Sequence, residues 1–310
     1  MIDVRDLQGT EIMVPGSIAN LGPGLDTLAV AVRLYLRMHV TRVDSHHRGS
    51  LQFYFGSSPL TGDNRIDAAF QKLAAGNSDF PSLCVEVHSD IPMGSGLGSS
   101  AAATIAGFRL YEALFGKQST ERLLTAAAEL EGHGDNAAAA LLGGLAVCCQ
   151  KADGSFHAFS LPWPESLQLI VLTPAIRLST QTSRSALPQC VPLKDAISNM
   201  QRVLLLLQSF QSDDDSSLRE ALADRLHQPM RESLVPGLTA ALKLSHPSLL
   251  GVFLSGSGPS IVGLARKRCL GEVERLLSES YRSSGVPFQT SVLDVHASSV
   301  SLPSAGIICS

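Results

Sequence analysis

Residues 92–102 read Pro-Met-Gly-Ser-Gly-Leu-Gly-Ser-Ser-Ala-Ala, the residue types that cradle phosphate. Gly94, Gly96 and Gly98 fall within five residues, so the backbone there is free to take positive φ and to approach a ligand closely. Ser99 and Ser100 add hydroxyl donors, and either is placed to reach a metal ion. An alanine-rich run follows, in which Ile105, Phe108, Tyr111 and Phe115 recur at spacings of three and four, the period of a helix. A helix that starts at the serines presents free N–H groups and a partial positive charge to an anion. The Gly-Lys-Ser/Thr ending of a Walker A loop is missing, and the glycine spacing is not that of GxGxxG.

A second constellation, Glu129-Leu130-Glu131-Gly132-His133-Gly134-Asp135-Asn136, is closed by Gly143-Gly144. Beside a phosphate loop, carboxylates have two uses. One neutralises phosphate charge through Mg²⁺, and another orients or deprotonates an attacking hydroxyl. Phosphoryl transfer asks for little beyond such positioning and neutralisation. His133, taken by itself, is a structural histidine, and Asp213-Asp214-Asp215, set between serines, reads as a solvated loop.

The surrounding runs supply elements to hold these groups. Residues 11–15 read as a strand that gives way to a Gly-rich turn over 16–26. Residues 28–43 alternate as a strand, with Val30, Val32, Leu34, Leu36, Met38 and Val40 at a period of two. Residues 66–75 read as a helix, 83–88 as a strand and 120–130 as a helix with Thr120 as its N-cap. An apolar strand after Gly144 carries Cys148 and Cys149, both read as core residues. In the second half, residues 167–172 form a strand, and Ile197, Met200, Leu204 and Leu207 mark a helix. Strands at 251–254 and 261–264 flank the Gly-rich turn 255–259, and a helix over 269–283 precedes a last strand over 290–295. Helices and strands mix without strict alternation, which predicts an α+β fold. The boundary falls near Pro162-Trp163-Pro164, giving domains 1–162 and 163–310.

With 45% hydrophobic and 17% charged residues and a net charge of −4, the 310-residue chain is globular, with no basic face for nucleic acid or an anionic membrane. No apolar run reaches the length of a membrane span, and the N-terminus lacks the apolar core of a signal peptide. Six scattered cysteines without CxxC spacing suit a reduced, cytoplasmic setting.

The string Pro-x-x-x-Gly-Leu-Gly-Ser-Ser-Ala-Ala resembles the central ATP loop of the GHMP kinases. Two further segments fall in that family's order. Ser17-Ile18-Ala19-Asn20-Leu21-Gly22-Pro23-Gly24-Leu25-Asp26 resembles the first motif in its homoserine kinase form, and Leu254-Ser255-Gly256-Ser257-Gly258-Pro259-Ser260 resembles the third. Leu178-Ser179-Thr180 with Arg184, and Asp224, His227, Pro229 and Arg231, match two further family segments.

The resemblance implies a ribosomal-protein-S5-type N-terminal domain and a ferredoxin-like C-terminal domain, with the site in the cleft between them. It implies ATP- and Mg²⁺-dependent phosphorylation of the side-chain hydroxyl of L-homoserine, a step of threonine biosynthesis, by a homodimer. Another alcohol such as mevalonate, or a catalytically silent binding module, are the rival readings. By the resemblance Pro92, Gly94, Ser95, Gly96, Leu97, Gly98, Ser99 and Ser100 bind ATP, with Asn64 at the adenine. Glu129 and Ser99 hold Mg²⁺. Asp135 meets the acceptor hydroxyl, as base or as orienter, and Asn136 with Asn20 steadies the transferring phosphoryl group. Arg184 and Arg231 grip the substrate carboxylate and Asp26 its ammonium, beside Thr180 and Gly256. The chain departs from the pattern at Gly16 (usually Ala), Leu25 (Phe), Arg65 (Leu) and Gly134 (Pro).

Overall fold

The computed structural model describes residues 7–297 and the backbone of 307–309. The first half runs β1 (Glu11–Ala19), β2 (Leu28–Arg48), β3 (Leu51–Phe55), β4 (Ser58–Pro59), α1 (Arg65–Ala74), β5 (Pro81–Ser89), α2 (Ser99–Phe115), α3 (Thr120–Glu131), α4 (Asp135–Leu142), β6 (Leu145–Gln150) and β7 (Phe156–Leu161). The second half runs β8 (Leu167–Pro174), α5 (Thr180–Ser185), α6 (Leu193–Ser212), α7 (Leu218–Ala221), α8 (Gln228–Arg231), α9 (Leu238–Leu242), β9 (Leu249–Leu254), β10 (Ile261–Arg266), α10 (Leu270–Arg282) and β11 (Phe288–Leu293), with β12 (Ile307–Cys309) beyond it.

Two sheets result. The first has the order β12-β1-β2-β5-β3-β4, with β6 and β7 branching from β2. The 21-residue β2 makes this possible: Leu28–Val30 pair with β6, and the stretch from Leu36 onward pairs with β5. Leu28, Ala29, Val30, Ala31 and Val32 are all buried, as expected of a strand covered on both faces. The second sheet, β11-β8-β10-β9, is antiparallel throughout. One apolar core spans α1–α4, the first sheet and residues such as Leu169, Phe253 and Leu264 of the second. A smaller core lies between the second sheet and α10, around Ile170, Val273 and Leu277.

Several expectations need correction. β1 does not end at Pro15: after a bulge at Pro15/Gly16, Gly16–Ala19 go on pairing with Val32–Ala29. The N-cap of α3 is Ser119, whose side chain accepts from the N–H of Arg122, and Thr120 is already helical. Cys148 is buried but Cys149 is exposed, because neighbours on a strand point to opposite faces. The helix marked by Ile197, Met200 and Leu204 exists, yet these residues are 40%, 60% and 68% exposed. The side of α6 that faces the protein carries Asn199, whose amide bonds Pro23 O (3.1 Å) and Asp224 (2.7 Å). Those bonds turn a partly polar face inward. The acidic loop is solvated as read, with Asp213 and Asp214 exposed, and it is also tied to its surroundings: Asp215 pairs with Arg266, and Asp213 accepts from Ser166 at 2.7 Å.

Candidate active site

The phosphate loop lies between β5 and α2. The α2 N-cap is Gly98, at φ 75° with no side-chain cap, whereas Asn64 caps α1 and Ser119 caps α3. The first turn of α2 therefore keeps its N–H donors for a ligand, and Ser99, Ser100 and Ala101 line a cavity there. The loop is clamped from both sides. Ser17 N donates to Leu97 O at 3.1 Å, and the Ser255 hydroxyl donates to Gly96 O at 2.7 Å. A Cβ at Gly98 would stand 2.1 Å from Ser17 Oγ, so glycine is required by packing as well as by φ. Pro92, Gly94, Ser95 and Gly96 also line the cavity. Two expected contacts do not. Leu97 is 2% exposed, with its side chain in the core, and Asn64 has its carbonyl oxygen on the N–H of Ile66.

The expected metal ligand must also be corrected. Glu129 faces outward, half-exposed, and pairs with Lys72 at 2.7 Å. Glu131 is the acid that faces the phosphate loop, where it accepts from Ser100 (2.7 Å) and Thr104 (2.9 Å). Residues two apart on a helix point about 200° apart, so only one of the pair can face α2. The signal was present in the sequence: Leu124, Ala127, Ala128 and Glu131 follow the helical period of the buried face, and Glu129 does not.

Asp135 opens α4 and is 1% exposed. Its Oδ1 accepts from His133 Nδ1 (2.6 Å) and from the N–H of Asn136 (2.8 Å), while Oδ2 has no protein donor among the described residues. Burial works against a charged His133, but the bond to Asp135 and its charge outweigh burial and raise the pKa above its ordinary value. His133, a structural residue when taken by itself, lines the cavity here beside Asp135. Atoms of Asp26, His133 and Asp135 converge within 4.8 Å. Asn136 receives the Ser17 hydroxyl at 2.7 Å. Gly134, where the family pattern has Pro, is explained by packing: a Cβ would stand 2.9 Å from Cys148 Sγ and 2.9 Å from Phe156 Cδ1.

Across the cavity, Arg184 and Asp26 form a two-pronged pair, at 2.6 and 3.1 Å. Arg231 is 2% exposed; burial, then the charge of Arg184, pulls its pKa down to about 10. Asn20 and Gly256 brace the site. Asn20 Nδ2 donates to Gly256 O at 3.0 Å, Asn20 Oδ1 accepts from the N–H of Asp26, and Gly256 N donates to Ala19 O. Gly256 thus lines the cavity with both backbone groups already bonded. Thr180 lines it too, with Leu25 and Ser257, which residue type alone does not single out. The oxygen donors of Glu131, Ser99 and Ser100 form the hard, anionic set that suits Mg²⁺.

The chain belongs to the GHMP kinases: the family model of the GHMP kinase N-terminal domain matches residues 64–144, and that of the C-terminal domain matches 206–283. The mixed α/β architecture with two sheets is that two-domain fold. Within it the chain falls in the homoserine kinase family. It is 36% identical to the homoserine kinase of Solibacter usitatus (strain Ellin6076), over 90% of this chain and 92% of the relative. It is 35% identical to that of Parasynechococcus marenigrum (strain WH8102), over 94% and 95%. The crystal structure of homoserine kinase from Cytophaga hutchinsonii superposes with a TM-score of 0.78 at 25% identity, covering 93% of this chain and 95% of that one.

Proposed function

We propose that this enzyme transfers the γ-phosphate of ATP to the side-chain hydroxyl of L-homoserine. One observation carries the reading: Asp26, Asp135, Arg184 and Arg231 border one cavity whose other wall is the uncapped N-terminus of α2. An α-amino acid alcohol needs an acid for its ammonium, cationic forks for its carboxylate and a carboxylate at its hydroxyl. Arg184 and Arg231 meet the carboxylate, Asp26 the ammonium, and Asp135 Oδ2 the hydroxyl. His133 and the N–H of Asn136 hold the other oxygen, so the carboxylate presents one acceptor in one direction.

The α2 N–H groups and the Ser99 and Ser100 hydroxyls hold the phosphates. Glu131, with a serine hydroxyl, would hold Mg²⁺, whose charge would offset that building on the phosphates. In the transfer, the homoserine oxygen forms a bond to the γ-phosphorus as the bond to the β–γ bridging oxygen breaks. The hydroxyl proton moves toward Asp135 Oδ2, and ADP departs. A coupled ADP-release assay over L-homoserine, mevalonate, galactose and shikimate tests the reading. Turnover is expected with L-homoserine well above the rest. Good turnover of another alcohol and none of homoserine removes the substrate assignment and leaves the kinase.

A further inference from the structure

Arg231 sits in α8 among groups that restrict how its guanidinium can turn. Asp224, whose side chain is fully buried, accepts the N–H groups of Leu226 (2.9 Å), His227 (3.0 Å) and Gln228 (2.7 Å), which fixes the backbone entering the helix. His227 is 0% exposed. Its Nε2 lies 2.7 Å from Gly22 O, and its Nδ1 lies 3.0 Å from Arg231 Nη1. A carbonyl oxygen only accepts and a guanidinium only donates. The ring must therefore carry its proton on Nε2 and offer a lone pair at Nδ1. Burial, which pushes the His227 pKa down, agrees with a neutral ring. Arg231 Nη1 also donates to Gly256 O at 3.0 Å, and Nε to Ser183 O at 3.4 Å. Both Nη1 hydrogens are then committed to the protein. Nη2 has no protein partner among the described residues, and Arg231 borders the cavity.

We infer that His227 is a positioning residue that aims Arg231: its Nδ1 lone pair holds Nη1 and leaves Nη2 for the substrate carboxylate. This rests on the proposed reading of Arg231 as a carboxylate ligand. It also gives a use to a buried histidine that never reaches the cavity. Gly22 from the first motif, Gly256 from the third and the segment around Arg231 are joined through this one ring and one guanidinium.

Two substitutions separate aiming from mere bracing, because each keeps one ring nitrogen's role. In His227→Asn, the amide oxygen falls where Nδ1 stood and still accepts from Arg231, while the bond to Gly22 is lost. In His227→Gln, the longer side chain puts its N–H near Nε2, keeping Gly22 and abandoning Arg231. Steady-state kinetics should show the homoserine KM up about tenfold or more in His227→Gln, the scale of a hydrogen bond to a charged group. In His227→Asn it should stay within about threefold, and the ATP KM should stay nearly constant in both. Any other ordering of the two homoserine KM values overturns the inference. Arg231→Ala run alongside divides the two ideas. A homoserine KM unchanged in Arg231→Ala overturns the Arg231 assignment and the inference with it. A rise there with none in His227→Gln overturns the inference alone. Should either histidine variant fail to fold, a long-range ¹⁵N–¹H spectrum of the unaltered protein decides. His227 is expected as the neutral Nε2–H tautomer, and an Nδ1–H or doubly protonated ring overturns the proposal.

Discussion

Asp135→Asn isolates charge from shape at the point where the acceptor hydroxyl is proposed to sit. In the structure Oδ1 receives the His133 N–H and the Asn136 N–H, and Oδ2 is open. An asparagine that keeps its oxygen on those two donors must turn its NH₂ toward the cavity. A donor then faces the hydroxyl where an acceptor stood, so both the negative charge and the direction of the hydrogen bond are lost. Removing such a group costs about 10²–10⁴ in kcat, equivalent to about 3–5 kcal/mol of barrier. ATP affinity should hardly move, because the phosphates are proposed to sit on the α2 N–H groups and the Ser99 and Ser100 hydroxyls, with Glu131 at the Mg²⁺. The assay is single-turnover and steady-state ADP release with saturating homoserine, with nucleotide affinity measured by calorimetry. A fall in kcat of less than about threefold, in a variant that folds and binds ATP, would refute the role of Asp135.

Glu131→Gln should lower kcat by about tenfold or more and raise the Mg²⁺ concentration needed for half-maximal rate. Glu129→Gln, on the outer face, should leave both near wild type, and a Mg²⁺ titration of the two variants ranks the acids. Gly134→Pro, which restores the family's usual residue, should destabilise the fold by about 1–3 kcal/mol. Its atoms would press on Cys148 and Phe156, and urea unfolding measures the change. His133 has its pKa raised above 6.5 by Asp135, against the opposing effect of burial. Its protonation therefore stabilises the fold fully below the unfolded-state pKa, and that stabilisation is lost as the pH rises through the folded value. The stability gap between wild type and His133→Gln should narrow across that window, and a constant gap in pH-dependent urea melts counts against the His133–Asp135 pair.

Much of the fold was legible because it rests on local patterns. Alternation disclosed β2, and the spacing of Ile105, Phe108, Tyr111 and Phe115 disclosed α2. What failed depended on partners far away in sequence. Period alone shows that α6 is a helix, but which side faces inward is decided by Asn199 reaching Pro23 and Asp224. Nothing local announces that β1 continues past Pro15, since the pairing is set by residues 29–32. At the site, residue type singled out Glu129 and Glu131 equally, and helix phase chooses between them. Asn20 and Gly256 were legible as motif residues. Their bonds to each other, across 236 positions, were not.

The pairing of Arg184 with Asp26 bears on discrimination. Without a ligand, the proposed anion-binding and cation-binding groups satisfy each other. A ligand carrying both charges can exchange one ion pair for two, leaving neither side chain alone. A ligand with a carboxylate and no ammonium has to draw Arg184 away and strand Asp26 in a half-buried setting, where an unmatched charge is costly. An uncharged alcohol gains nothing by parting them. On the proposed assignment, the closed pair would answer to two simultaneous signals, and the site would reject a near-miss without a steric clash.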